Sequence, residues 1–309
     1  MEAVLSNQSP PDPLLALSDR VADTVARVAP SIVVVEAPRR AGQSGFVWRP
    51  GVVVTAEEAL EADDGISVIL PDGQRVDATL VGRDPSTDVA VLRIAATGVP
   101  ALALNAGVAP RAGELTLAVG RRREGPTANL GIVSVVGGPW RSLRGGQIER
   151  FIRLDLSLDR RSEGGVVLNA AGEATGMAVC GARRSVLSIP AATIERVAEQ
   201  LMARGRIARG YLGLGLQPIR IDEALARSLS LTEPRGVIVI SVDPQGPGHR
   251  SGVLLGDVVT AWNGEPVRGL REILQKLGPD AVGQTAELAI LRAGQAATAR
   301  VTVGERPAS

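Results

Sequence analysis

The segment Gly51-Val52-Val53-Val54-Thr55-Ala56-Glu57-Glu58-Ala59 sets four β-branched residues in a row and then breaks into small and acidic ones. Such side chains fit an extended chain, so Val52–Thr55 reads as one short strand. Similar Val-, Ile- and Leu-rich runs recur on both sides of it, at 31–36, 45–48, 66–70, 78–81, 90–94, 115–119, 130–136, 148–155, 164–168 and 174–179. Turn residues separate them, and Asp72-Gly73 is a hairpin signal. Short strands at this density, with little helix between them, predict an all-β sandwich or a pair of barrels.

Two stretches depart from that pattern. Leu14, Leu17, Val21, Val25 and Val28 recur near a 3.6 period and predict an amphipathic helix over 14–28, ended by Pro30. Ile194, Val197, Ala198 and Leu201 predict a second helix over 191–204, starting after Pro190. Residues 205–210 read as a linker, and 211–303 as a smaller unit of strands, two short helices and many glycine turns. The Pro- and Ser-containing stretch 7–13 reads as unstructured. The expected organisation is a tail and helix over 1–30, a large domain over 31–205 and a small one over 206–309.

Composition narrows the function classes. The formal net charge of +1 creates no global field toward nucleic acid or anionic lipid. Aromatic residues are only 2 %, so the cores are aliphatic. Cys180 is the single cysteine and His249 the single histidine, which excludes an intramolecular disulfide and a Cys/His zinc site. Residues 1–13 lack a basic start followed by an apolar run. No stretch of roughly 18 apolar residues suggests a membrane span. The chain as written therefore reads as cytoplasmic, or as a periplasmic or cell-envelope protein if its start site is mis-assigned.

The motifs in order give a more specific reading. Ser44-Gly45-Phe46-Val47, the Gly51–Thr55 strand, Asp84-Pro85-Ser86-Thr87-Asp88-Val89-Ala90-Val91-Leu92, Gly131-Ile132-Val133-Ser134 and Arg209-Gly210-Tyr211-Leu212-Gly213 follow one another along the chain. In this order and spacing the chain resembles the HtrA (DegP-like) family, a trypsin-like double β-barrel followed by a PDZ domain. The resemblance covers nearly everything from Ser31 to Arg306. It implies a mainly β fold of that architecture and, in the family, a serine endopeptidase.

The resemblance breaks at the catalytic positions. The family has a histidine three residues after the threonine that is Thr55 here, and this chain has Glu58. The aspartate position is kept as Asp88. The family's nucleophile stands eight residues after an aspartate, before a glycine pair. Counting from Asp155, the eighth residue here is Glu163, within Arg161-Ser162-Glu163-Gly164-Gly165. The triad-equivalent set is thus Glu58, Asp88 and Glu163, and none is expected to be catalytically active. Ser162 would need an insertion to serve as nucleophile, and the only lysine, Lys276, lies outside this domain. A triad without its base and nucleophile loses several orders of magnitude in rate. Without an imidazole to orient, Asp88 reads as a loop or turn residue.

Asp159-Arg160-Arg161-Ser162 replaces the small, flexible loop whose backbone N–H groups stabilise the oxyanion in the family. Two readings stand here: a solvated loop, or an arginine–carboxylate network of Arg160 and Arg161 with Glu58, Asp88 and Glu163. The neighbouring arginines argue against a Ca²⁺ or Mg²⁺ site on the same carboxylates, so no metal and no cofactor are expected. Arg121-Arg122-Arg123 reads as a loop, with scattered solvated arginines or, together with Arg141, Arg144, Arg183 and Arg184, a basic rim for an acidic segment. Gly181-Ala182-Arg183-Arg184-Ser185 alters the specificity-pocket loop.

The PDZ-like part is better kept. Tyr211-Leu212-Gly213-Leu214 resembles the carboxylate-binding loop, and the following strand would pair with a peptide by β-augmentation. Ile273, Leu274 and Leu277 on the helix over 270–277 are the candidates to face a ligand's apolar side chains. His249 falls on a short helix and reads as an exposed surface residue.

Together these imply an inactive HtrA-like protease homologue that binds peptide C-termini or unfolded polypeptides through its PDZ domain, as chaperone, adaptor or regulator. An active serine endopeptidase in protein quality control is the rival from the enzyme class, and a purely structural oligomerising protein is the other. The helix over 14–28 is a candidate for subunit contacts in a homotrimer, or in co-assembly with an active paralogue. No nucleic acid and no membrane span enter the reading.

Overall fold

The computed structural model describes residues 12–38, 42–58, 60, 63–96, 98–142, 144–181, 185–229, 231 and 233–307. The stretch read as unstructured lies mostly outside these residues, as do Ala59 and the 182–184 part of the altered pocket loop. The chain divides into two units. The first comprises Met1–Asp84, Asp88–Gly138 and Glu149–Gly205; the second comprises Pro85–Thr87, Pro139–Ile148 and Arg206–Ser309. Each is described on its own.

The first unit opens with α1 (Pro13–Val28), whose first turn is capped by the Asp12 carboxylate accepting the Leu14 N–H at 2.9 Å. Six strands follow, β1 (Ile32–Glu36), β2 (Gln43–Arg49), β3 (Val52–Thr55), β4 (Ser67–Ile69), β5 (Arg75–Asp84) and β6 (Val89–Ile94). They close into a barrel in the order β1-β2-β3-β6-β5-β4. Val33, Val35, Val47, Val53, Ile66, Val68, Ala90 and Leu92 fill it. β1 is buried on both faces, because its outward side lies against the second barrel through β7 (Leu115–Arg122). That explains an uninterrupted Ile-Val-Val-Val rather than an alternating strand. The Asp72-Gly73 turn connects β4 to β5, with the Asp72 carboxylate accepting the Gln74 N–H at 2.9 Å.

The second barrel continues with β8 (Gly125–Val136). A separate hairpin, β9 (Trp140–Arg141) with β10 (Gln147–Ile148), precedes β11 (Ile152–Asp155), β12 (Val166–Asn169), β13 (Ala174–Cys180) and β14 (Val186–Pro190). The closed order is β11-β14-β13-β12-β7-β8 around Ala118, Val133, Leu154, Val167, Ala178 and Val186. α2 (Ala191–Arg204) buries Ile194, Val197, Ala198 and Leu201, the expected stripe, and packs on β5, β6 and β13. Each of those larger side chains contributes about 1.5–3 kcal/mol by leaving water. Gly205, at φ 70°, ends the helix with its N–H on the Leu201 carbonyl at 2.7 Å.

Two readings of the first unit are corrected. β14 adds Val186–Pro190 to the expected strands. Arg121 and Arg122 do not form a loop: they extend β7 opposite Pro126 and Gly125 of β8. The Arg121 guanidinium donates to the Pro71 carbonyl at 2.7 Å, and Arg123 pairs with Glu36. Neither residue is a free solvated cation.

The second unit holds β15 (Gly210–Tyr211), β16 (Leu214–Arg220), α3 (Glu223–Ser228), β17 (Arg235–Val242), α4 (Pro247–Arg250), β18 (Val258–Trp262), β19 (Glu265–Pro266), α5 (Leu270–Lys276), β20 (Thr285–Arg292), β21 (Gln295–Thr302) and β22 (Gly304–Glu305). The sheet runs β16-β17-β18-β20-β21, with β19 on β18, and β15 pairs with β22. Its core is Val237, Val239, Val259, Trp262, Ile273, Leu288, Ile290 and Val301. Asp257, at 1 % exposure, accepts two bonds of 2.8 Å from Arg292 and one from the Leu254 N–H, which fixes the turn into β18.

Candidate functional site

Glu58, Asp88 and Glu163 come from three separate turns, and the first unit brings them together. Beyond β3, Thr55 donates its hydroxyl to the Ser44 carbonyl at 2.7 Å and accepts from the Gln43 amide at 2.8 Å. This anchors the chain before Glu57 and Glu58. Glu57 is buried and pairs with Arg83 at 3.4 Å, while Glu58 is exposed. Asp88 leads into β6 with φ 59°, left-handed backbone that aspartate tolerates when its side chain bonds locally. Its carboxylate accepts the Glu58 N–H at 2.8 Å, and its carbonyl accepts the Glu57 N–H at 3.3 Å. Asp88 therefore acts as a turn and loop anchor.

Glu163 follows a 3₁₀ turn at Arg160–Ser162 and is 6 % exposed. Its carboxylate accepts the Cys180 N–H of β13 at 2.8 Å. Gly164 holds the turn at φ 83°, and a Cβ there would stand 2.3 Å from the Ser44 carbonyl oxygen. Only glycine fits. Ser162 is buried, with its Oγ 3.0 Å from Thr127 Oγ1.

Electrostatics follow from crowding acids in a partly dry space. Burial pushes the Asp88 carboxyl up from 3.8 to about 7; the Glu58 N–H opposes this, and the charges of Glu163, Glu58 and Glu57 add to it. Burial also raises the Glu163 carboxyl, with Glu58 adding repulsion and Arg160 partly offsetting it. Burial and the neighbouring Glu163 push the Cys180 thiol to about 11, so it stays protonated. Of the two loop readings, the solvated one fits Arg160 and Arg161. Both are exposed, and among the described residues neither forms an ion pair with these three carboxylates, though the Arg160 charge still reaches Glu163. Of the arginines in the alternative basic rim, Arg122 pairs with Asp159 at 2.7 Å, and Arg183 and Arg184 lie outside the described residues.

In the second unit, Tyr211, Leu212, Gly213 and Leu214 form the turn from β15 into β16. The Tyr211 hydroxyl donates to Asp243 at 2.9 Å, a partner the sequence reading missed. Gly213 has φ 70° and packs against Gly246, where a Cβ would come within 2.6 Å of the neighbouring Cα. The Gly213 carbonyl accepts the Asp243 N–H, and the Leu212 carbonyl accepts the Gly248 N–H. Among the described residues, the backbone N–H groups of Leu212 and Gly213 have no acceptor. Leu212 (3 % exposed) and Ile273 (1 %) point into the core. Ile273 is therefore corrected from a groove residue to a core residue. Leu274 faces outward, and Leu277 is half-buried at the core edge, its carbonyl taking the Gly210 N–H at 3.0 Å. β16 is an edge strand, and α5 packs beside it.

Two closed six-stranded barrels followed by a peptide-loop sheet unit define a trypsin-like peptidase fold with a PDZ domain. Residues 43–177 match the trypsin-like peptidase domain, and 210–303 match the PDZ domain. The chain is 34 % identical over 281 residues to a probable periplasmic serine endoprotease, DegP-like, of Brucella suis, covering 88 % of this chain and 54 % of that protein. It thus spans about half the length of the curated relatives it matches. Among solved structures, an HtrA-type protease AlgW with tripeptide is 30 % identical, with 93 % of this chain and 98 % of that chain covered at a TM-score of 0.67. A serine endoprotease from Yersinia pestis is 26 % identical, with 97 % and 100 % covered at a TM-score of 0.70. The chain belongs to the HtrA family.

Proposed function

We propose that this HtrA-family chain does not hydrolyse peptide bonds and instead binds extended polypeptide through its PDZ domain. The observation that carries this reading is the meeting of Glu58, Asp88 and Glu163, which sequence register aligns with the family's base, orienter and nucleophile. Carboxylates are poor bases near neutral pH, and position 163 has no hydroxyl to attack with. The chain's one imidazole, His249, belongs to α4 of the other unit. The Ser162 hydroxyl is engaged by Thr127.

The binding half rests on the second unit. Leu212 and Gly213, whose backbone donors have no acceptor among the described residues, lie beside an open sheet edge and suit a peptide C-terminus or an extended segment. The relative solved with a tripeptide supports the same use. Exposed Leu14, Leu15 and Leu17 on α1 support self-association as a homotrimer, with co-assembly with an active paralogue as the alternative. The periplasmic names of the relatives favour the cell-envelope location. We keep 31–205 and 206–309 as the working domain limits.

The test is direct: incubate the chain with an unfolded protein and with a fluorophosphonate probe, and titrate the PDZ groove with short peptides. The expected result is no cleavage, no labelling and saturable peptide binding. Stoichiometric labelling that disappears in Ser162→Ala would refute the inactive reading. The absence of any peptide binding would favour a purely structural role.

A further inference from the structure

The loop before Glu163 is built to keep its donors inward. With position 163 as the nucleophile position, an oxyanion hole needs the N–H groups of 161 and 163, both free and aimed at one point. Here the Arg161 N–H donates to Asp159 Oδ1 at 2.7 Å, and the Glu163 N–H donates to the Arg160 carbonyl at 3.3 Å. The Ser162 N–H is also used, on the Asp159 carbonyl at 2.8 Å. Asp159 is thus the N-cap of a closed 3₁₀ turn. From outside, Arg122 donates to Asp159 Oδ2 at 2.7 Å, and Ser44 Oγ donates to the Arg161 carbonyl at 2.9 Å. Ser44 Oγ also accepts the Arg121 N–H at 2.9 Å, so the arginine end of β7 braces the turn.

We infer that Asp159 is a latch that holds the backbone donors of 161 and 163 inside the turn, so the site would lack an oxyanion hole even with histidine and serine restored. This rests on the reading of Glu163 as the nucleophile position. The Arg122–Asp159 pair is half-exposed, at 39 % and 49 %, so it contributes less than the cap. The asparagine variant separates the two contributions, because it keeps the cap and loses the charge.

The experiment measures amide hydrogen exchange over 159–165 in the full chain, in Asp159→Ala and in Asp159→Asn, with the amides of β12 as the reference for global unfolding. The same substitutions are then placed in a Glu58→His/Glu163→Ser background and labelled with the fluorophosphonate. The latch predicts exchange about five- to tenfold faster in D159A relative to the reference, and close to the unmodified chain in D159N. It also predicts fluorophosphonate labelling at least about fivefold faster when D159A joins the restored pair. Unchanged exchange in D159A, or labelling of the restored pair that does not rise with D159A, overturns the latch. Labelling of the unmodified chain would instead overturn the inactive reading, which keeps the two failures distinct.

Discussion

Replacing Asp88 by asparagine isolates the strain of crowding acids around Asp88, Glu58 and Glu163. Asparagine keeps an acceptor for the Glu58 N–H and has no charge to desolvate. Because the folded-state carboxyl is raised above its ordinary value, its contribution is fully present below about pH 4. It is lost as pH rises toward about 7, where the buried group must ionise. The rise from 3.8 to about 7 corresponds to at most roughly 4 kcal/mol, at about 1.4 kcal/mol per tenfold change. Relaxation and water entry reduce that to about 1–2 kcal/mol. Urea unfolding of the first unit at pH 5 and pH 8 is the assay. Asp88→Asn should gain about 1–2 kcal/mol at pH 8 and much less at pH 5, flattening the pH dependence of the parent. Equal stability of parent and variant at pH 8 would refute the reasoning.

Other outcomes follow from the same geometry. Gly164→Ala forces a Cβ onto the Ser44 carbonyl at a left-handed backbone position and should cost more than about 2 kcal/mol, read by thermal unfolding. Leu212→Ala should cost about 2–4 kcal/mol because it opens the second unit's core. Leu274→Asp, at an exposed position, should leave the melting temperature nearly unchanged and weaken peptide binding at least about tenfold, read by calorimetry. Arg292→Met strands the buried Asp257 carboxylate, whose partner holds it below the usual range. A depressed folded value means stability present at neutral pH and lost toward acid, so the variant's deficit in melting temperature should shrink from pH 7 to pH 3.

The strands were legible where sequence and burial share a cause. Val52–Thr55 and the Ile194/Leu201 stripe announce themselves because apolar spacing is itself the packing rule. The arginine end of β7 was not legible, since its guanidinium groups reach Pro71, Asp159 and Glu36, residues remote in sequence. Glu58, Asp88 and Glu163 could be located by register, but spacing alone could not give the inward bond of Glu163 to Cys180. On α5, two turns of helix offer three leucine-like side chains, and only the sheet beneath decides that Ile273 is core. Asp159 did carry a local signal, an aspartate before a short polar turn, which a search for N-caps would have marked.

The open edge of β16 also bears on aggregation. An unpaired strand rim can template endless addition of further chains, the route to fibres. In its second half Gln217, Pro218 and Arg220 are exposed; the proline offers no N–H to an incoming strand, and the arginine opposes stacking of like copies. Only Leu214 to Leu216 remain for pairing, about 10 Å at roughly 3.4 Å per residue. An added strand would have about three residues of rim to pair with, which disfavours continued growth.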